Sequence, residues 1–283
     1  MKPGVYDISE EDYHADPCPE PSLSASICKV MWQESCLHAW MKHPKLNPDF
    51  EPENRKEWDL GSAAHAVLLE RNWSKIEVID ADDWRKKVTQ EARDEAYKNG
   101  LIPTLNKHMA DIDEMVKVVE SFIAETELVG IFNNGKPEQT LIARHEGAWL
   151  RSRLDWLTTE RAIILDYKTR PKGSAHPEVW IRTTLFKMDF DIQAYMYQLL
   201  NHLTGGPEDA KFIFLVQQAT KPYACSLVGA GPSVIDSGKR KFQTCLHKWK
   251  WCLEHNKWPG HETRICWAET PAWQLQEIEE RGE

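Results

Sequence analysis

Long apolar runs are missing from this 283-residue chain. Nothing in it approaches the roughly 18–20 consecutive apolar residues that span a bilayer, and the opening MKPGVYDISEEDYH lacks the apolar stretch of a signal peptide. Export and membrane insertion are therefore not expected. A disulfide framework is missing too, because the seven cysteines are scattered and odd in number, which points to reduced thiols. Positive charge is not in excess: 35 Lys and Arg stand against 44 Asp and Glu, a net charge of -9. That excludes a protein that coats nucleic acid through bulk charge, although a local basic patch is still open to it. Repeats and low-complexity segments are absent, and the one break is a Pro/Asn/Glu-rich loop from His43 to Asn54. The whole of 1–283 is read as a single domain.

What is present is the balance of a globular protein, 41% hydrophobic and 28% charged, with 13 Trp whose expected role is mostly packing. The spacing predicts a helix from Ser24 to Met41, stopping at His43-Pro44, and a second from Trp58 to Glu70 with small residues that permit close packing. Asp82 or Asp83 is expected to cap a charged helix ending at Gly100. Ile112, Met115, Val116, Val119 and Ile123 mark another, and these two helices read as a peripheral insertion at about residues 80–130. Beyond Gly135 the texture changes: Gln139 to Ala143, Ala148 to Leu157 and Arg161 to Lys168 read as an antiparallel meander. A helix from Asp189 to Leu203, a strand from Lys211 to Gln218 and a long helix through Ile235 to Leu253 complete the order.

Chemistry concentrates in ILDYKT, Ile164 to Thr169. Period-two alternation points Asp166 and Lys168 to one face and Tyr167 to the other. Hairpin pairing across Thr158 to Arg161 places Asp155 of RSRLDWL opposite Asp166 or its neighbour. Two carboxylates beside a lysine suit a hard divalent cation such as Mg²⁺ or Mn²⁺. An ordinary Asp/Lys pair on a surface hairpin is the competing reading. Gly61 and His65 lie four apart on a helix, the glycine leaving room beside an imidazole that could be a ligand or simply structural. Gln193 and Tyr197 repeat that spacing, as site residues or as a buried hydrogen-bonded pair, and Glu138 offers one more carboxylate at the rim.

The ordered set GSAAH, PEQT, RSRLDWL, ILDYKT and QAYMY resembles the PD-(D/E)XK nuclease superfamily. Within it the likeness is to the RecB-like group with GxxxH and QxxxY motifs, and more narrowly to the exonuclease VIII (RecE) family of phages and prophages. EEDYHADPCPEPSLSAS near the start and KWPG followed by ETPAW near the end share that likeness, which therefore spans nearly the whole chain. The resemblance implies an α/β (α+β) restriction-endonuclease-like core, a central mixed sheet flanked by helices. It implies that His65, Asp155, Asp166 and the backbone carbonyl of Tyr167 bind Mg²⁺, with Mn²⁺ able to replace it. Lys168 would hold or help deprotonate the attacking water and stabilise charge on the phosphate. Glu138 would serve a second metal or its water shell, and Gln193 and Tyr197 would support the site and contact DNA.

Arg151 and Arg153 share a face with Asp155 by alternation and are candidate contacts to the DNA backbone, as is the basic run Lys239, Arg240, Lys241, Lys248 and Lys250. For those positions solvated surface charge is the alternative. Some RecB-like relatives hold an iron–sulfur cluster, but Cys245, Cys252 and Cys266 lack a Cys-x-x-Cys step, so no cluster and buried thiols are expected. The activity implied is Mg²⁺-dependent degradation of linear duplex DNA from 5′ ends, leaving 3′ single strands for a RecT-type annealing protein, by a ring-like oligomer in the bacterial cytoplasm. The alternatives are a structure-specific or single-strand endonuclease, and a module that binds DNA ends without cutting.

Overall fold

The computed structural model describes residues 1–51 and 59–282. In chain order the strands are β1 (Gly4–Tyr6), β2 (Ser22–Ser24), β3 (Ile76–Ile79), β4 (Ile102–Leu105), β5 (Lys136–His145), β6 (Ala148–Leu157), β7 (Ile163–Arg170), β8 (Lys211–Gln218) and β9 (Cys225–Gly229). The helices are α1 (Glu10–His14), α2 (Ala25–Gln33), α3 (Cys36–Met41), α4 (Asp59–Glu70), α5 (Lys87–Lys98), α6 (Met109–Ala124), α7 (Pro177–Trp180), α8 (Phe190–Leu203), α9 (Pro232–His255) and α10 (Ala272–Gly282). Among the described residues none is long and apolar enough to cross a membrane.

The main sheet runs β1-β5-β6-β7-β8-β9, with β2 added beside β6. β5, β6 and β7 form the expected meander, and α8 is the crossover that lets β8 lie parallel to β7, Ile163 beside Lys211 through to Arg170 beside Gln218. Helices cover both faces, so the central strands are buried on both sides. One core packs Leu150, Leu154, Ile164, Phe212 and Phe214 under α2, α8 and α9, with Trp180 and Trp249 fully buried. The other packs Leu165, Tyr167, Trp156 and Leu215 under Ala64 and Leu68 of α4 and Ile112, Met115 and Val119 of α6.

One strand edge is shared in a way that makes the site. On a single side of β6, β2 pairs with Trp149 to Arg151 while β7 pairs with Trp156 and Leu157. Between these two ladders the sheet forks. Side chains from helices on both faces reach the fork.

Several expectations are corrected. The helix expected from Ser24 to Met41 is two, because the hydroxyl of Ser35 accepts the His38 N–H and starts α3 afresh. Ser24 likewise caps α2, accepting from Ile27. α5 begins at Lys87 without a side-chain cap, and Asp83 instead closes a turn on Arg85 N. α6 is not peripheral: its five predicted apolar residues are buried and belong to the second core. Of the expected insertion, α5 and β4 lie off the main sheet, β4 pairing in parallel with the preceding β3. His43, at the head of the expected loop, is fully buried, and residues 52–54 of that stretch, like Trp58, lie outside the described residues. Cys245 and Cys252 are buried thiols as expected, whereas Cys266 is exposed.

Candidate active site

β7 changes character along its length, from buried Ile164 and Leu165 to Asp166, Lys168 and Thr169, and the change falls at the fork. Regular β6–β7 pairing stops at Trp156 opposite Leu165. One residue further on, the carboxylate of Asp155 replaces a backbone carbonyl and accepts the Tyr167 N–H at 2.9 Å. Asp155 is thereby fixed beside Asp166. On its other side, the register that pairs Pro137 with Trp156 and Gln139 with Leu154 sets Glu138 opposite Asp155. Glu138 adopts a left-handed backbone, φ 53°, which carries its side chain to the same cluster.

His65 reaches these carboxylates from α4. Its Nε2 lies 3.3 Å from Asp155 and its Nδ1 3.5 Å from Glu138, while the ring stacks at 6.0 Å on Tyr167. Gly61 makes the approach possible, though through a different neighbour from the one expected. A Cβ there would collide with Thr169 Oγ1 of β7, so the glycine lets α4 close onto the strand rather than making room beside the imidazole.

From the opposite face, Gln193 of α8 donates Nε2–H to Asp166 Oδ1 at 2.6 Å. Lys168 Nζ stands 2.6 Å from the other oxygen, Oδ2. Lys29 of α2, not singled out in the sequence, donates to Gln193 Oε1 at 3.3 Å and sits 4.4 Å above the Phe190 ring, whose centroid is 5.2 Å from Lys168 Nζ. No spacing rule connects a lysine on the N-terminal helix with a motif more than 130 residues away.

Electrostatics separates the two aspartates. Burial raises Asp166 to about 6, and the charge of Asp155 adds to the rise while Lys168 opposes it. Burial acts the same way on Asp155, but the charge and hydrogen bond of His65 outweigh it and the net shift is downward. Glu138 is raised by burial despite His65 and Arg153. His65 moves up to about 9, because Asp155 and Glu138 overcome the burial that would neutralise it. Lys29 falls to about 7 through burial and the nearby Lys168 ammonium.

These donors fit a hard divalent cation. Asp166 Oδ2 is buried with the Lys168 ammonium 2.6 Å away, and a carboxylate oxygen with one such partner keeps a second lone pair to offer. Carboxylate oxygens with one imidazole are a donor set for Mg²⁺ or Mn²⁺. The two carboxylates that raise the His65 pKa favour its proton, and a ligand role requires that proton's loss. His65, Glu138 and Glu70 offer donor atoms within 4.8 Å of one another, although Lys75 holds both oxygens of Glu70. Glu70 also escaped sequence reading.

Of three expected DNA contacts, Arg151 and Tyr197 turn into the protein and Arg153 is held by Glu138 at the edge of the cluster. Arg151, 4% exposed, donates to Ser22 O and Ser22 Oγ and pairs with Asp16 at 3.1 Å, inside the protein. Arg153 is tied to Glu138 at 2.5 Å and to Ile8 O at 2.7 Å. Tyr197, 8% exposed, packs edge-on against Phe212 one helical turn beyond Gln193, so the QxxxY pair divides between site and core. Of the basic run, Lys241 turns inward to Asp189 and Asp191, while Arg240 and Lys248 line an open depression on α9.

A forked mixed sheet carrying Asp155, Asp166 and Lys168, flanked by helices that bring His65 and Gln193, is the architecture of a PD-(D/E)XK-type domain. Residues 24–268 match the family described as "PDDEXK-like domain of unknown function (DUF3799)", and the chain belongs to that family. A crystal structure from Eubacterium rectale, described as a "Putative exonuclease", aligns with 95% of this chain and 98% of its own at a TM-score of 0.61 and 12% identity, a likeness of fold. The structure of SSO0001 aligns with 84% of this chain and 88% of its own at a TM-score of 0.31 and 9% identity, which carries no argument. No curated protein matches this chain.

Proposed function

We propose that this protein is a metal-dependent exonuclease that hydrolyses phosphodiester bonds of linear double-stranded DNA. The observation that carries the reading is the convergence of Asp155, Asp166, Lys168 and His65 at the fork of the sheet, in a protein of a PDDEXK-like family. A divalent cation held by Asp155, Asp166 and His65, with Mg²⁺ first and Mn²⁺ as substitute, would polarise the phosphate and lower the pKa of water. The protein's own groups do the rest. Tyr167 N–H fixes Asp155, and Gln193 fixes Asp166, so neither carboxylate must reorganise when charge develops. Lys168 holds the attacking water in line and sets an ammonium against the growing negative charge of the phosphate.

Action from 5′ ends, production of 3′ single strands, a RecT-type annealing partner, a ring-shaped oligomer and a phage or prophage origin rest on the RecE resemblance. The net charge of -9 supports encirclement as the means of holding DNA, since bulk attraction does not serve it. The test is a gel assay on 5′-labelled linear duplex and closed circular DNA, with Mg²⁺ and with chelator. Early release of the 5′ label with the circle intact is expected. Cleavage of the circle would turn the reading to an endonuclease, and metal-independent binding without cleavage to an end-binding module.

A further inference from the structure

Lys29 sits at the end of a chain of three polar groups. In its ammonium form it can only donate, and the end of the Gln193 amide that faces its Nζ at 3.3 Å is the carbonyl oxygen, Oε1. The other end is then the NH₂, and it points at Asp166 Oδ1, 2.6 Å away. Were the amide turned over, its oxygen would face a carboxylate oxygen and its NH₂ would face an ammonium, two repulsive contacts in a half-buried place. Asp166, an acceptor, favours this sense from one end. Lys29 fixes it from the other, held over the face of Phe190 at 4.4 Å on a helix capped at Ser24, beside the β2–β6 ladder.

We propose that Lys29 is a positioning residue for the reaction, acting through Gln193. It locks the amide in the sense that restrains Asp166 Oδ1 and leaves Oδ2 aimed into the cluster with Lys168. The inference rests on the metal-dependent reading of the site, and it goes beyond it in assigning the N-terminal helix a part in shaping a carboxylate that would bind the cation. Two simpler roles for Lys29 make opposite predictions. As a bystander charge it would repel the cation, and its removal would tighten metal binding. As a direct contact to DNA phosphate it would affect substrate binding and leave metal binding no weaker.

The test is a double-mutant cycle on the full chain, Lys29→Met, Gln193→Leu and the pair, with Mn²⁺ binding measured by calorimetry in the absence of DNA. Lys29→Gln and Lys29→Arg stand beside them, and melting curves establish that each variant is folded. Lys29→Met and Lys29→Gln are each expected to weaken Mn²⁺ binding by about 10-fold, the scale of a group that orients a ligand. Lys29→Arg, which keeps a cation that can only donate, should recover most of the loss. In the Gln193→Leu background Lys29→Met should cost nothing more, because the route through the amide is already cut. Unchanged or tighter Mn²⁺ binding in Lys29→Met, or a loss that adds in full to that of Gln193→Leu, would overturn the proposal. Cleavage assays run in parallel separate the two claims: wild type that binds Mn²⁺ with the expected coupling but cuts no DNA refutes the nuclease reading alone, and wild type that cuts DNA with an additive cycle refutes the role of Lys29 alone.

Discussion

Two buried carboxylate clusters flank β6, and they are built for different ends. At Asp16 the carboxylate is well supplied: Cys18 N, Ser22 N and Ser22 Oγ donate to it at 3.2, 2.8 and 2.8 Å, and His43 and Arg151 lie 3.3 and 3.1 Å away. Burial pushes its carboxyl up, but His43, Arg151 and Ser22 prevail and hold it well below the usual range. At the fork the accounting is different. Asp155, Asp166 and Glu138 crowd together, and their pKa values are driven apart. A closed cluster of this kind staples the N-terminal segment to β6. The open one keeps acceptor capacity for a cation and stores repulsion that binding would relieve.

Substitutions should separate the two clusters by what they damage. The largest effect is expected from Lys168→Ala, with DNA hydrolysis falling by at least about 10³-fold at an unchanged far-UV spectrum, measured by single-turnover cleavage. Asp166→Asn should be as inactive yet melt no lower than wild type above about pH 6, because it removes a buried charge whose pKa is raised. Asp16→Asn should do the reverse. Breaking one member of a buried pair costs about 3–5 kcal/mol of stability by denaturant titration, while the folded fraction still cleaves.

Gly61→Ala falls between the clusters in kind. Its methyl group meets Thr169, so a loss of about 1–3 kcal/mol is expected, together with weaker Mn²⁺ binding as α4 and His65 are pushed from the strand. The smallest effect is in pH dependence. With His65 raised to about 9 from 6.5, its stabilisation of the metal-free protein is complete below about pH 6.5 and is lost as the pH rises through about 9. Melting curves in chelator between about pH 7 and 10 should fall more steeply for wild type than for His65→Ala.

The sequence made the polar ends of strands easier to find than the places where they lead. Asp155, Asp166 and Lys168 were legible because period-two alternation and a short hairpin fix which strand residues meet, and the observed β6–β7 register agrees. The helical contributions were legible only through the family resemblance, since i, i+4 spacing says which residues share a helix face but not which strand that face meets. Gly61 shows the limit: its spacing from His65 was read correctly and its neighbour was not. Arg151 and Asp155 do lie on one side of β6, but β2 ends the ladder between them, so one is sealed under Ser22 and the other opens on the fork. β2 is only three residues long and carries no periodic signal. Lys29 and Asp16 owe their places to that strand, and both were missed for that reason.

The comparison of the two clusters is tested most directly by single-turnover hydrolysis of linear duplex DNA in Mn²⁺, run at low temperature on wild type, Asp155→Asn and Asp16→Asn, each with its melting curve. The account predicts that Asp155→Asn is folded and inactive while Asp16→Asn melts early and cleaves at close to the wild-type rate per folded molecule. Cleavage by folded Asp155→Asn, or equal loss of activity in both variants while both remain folded, would contradict it.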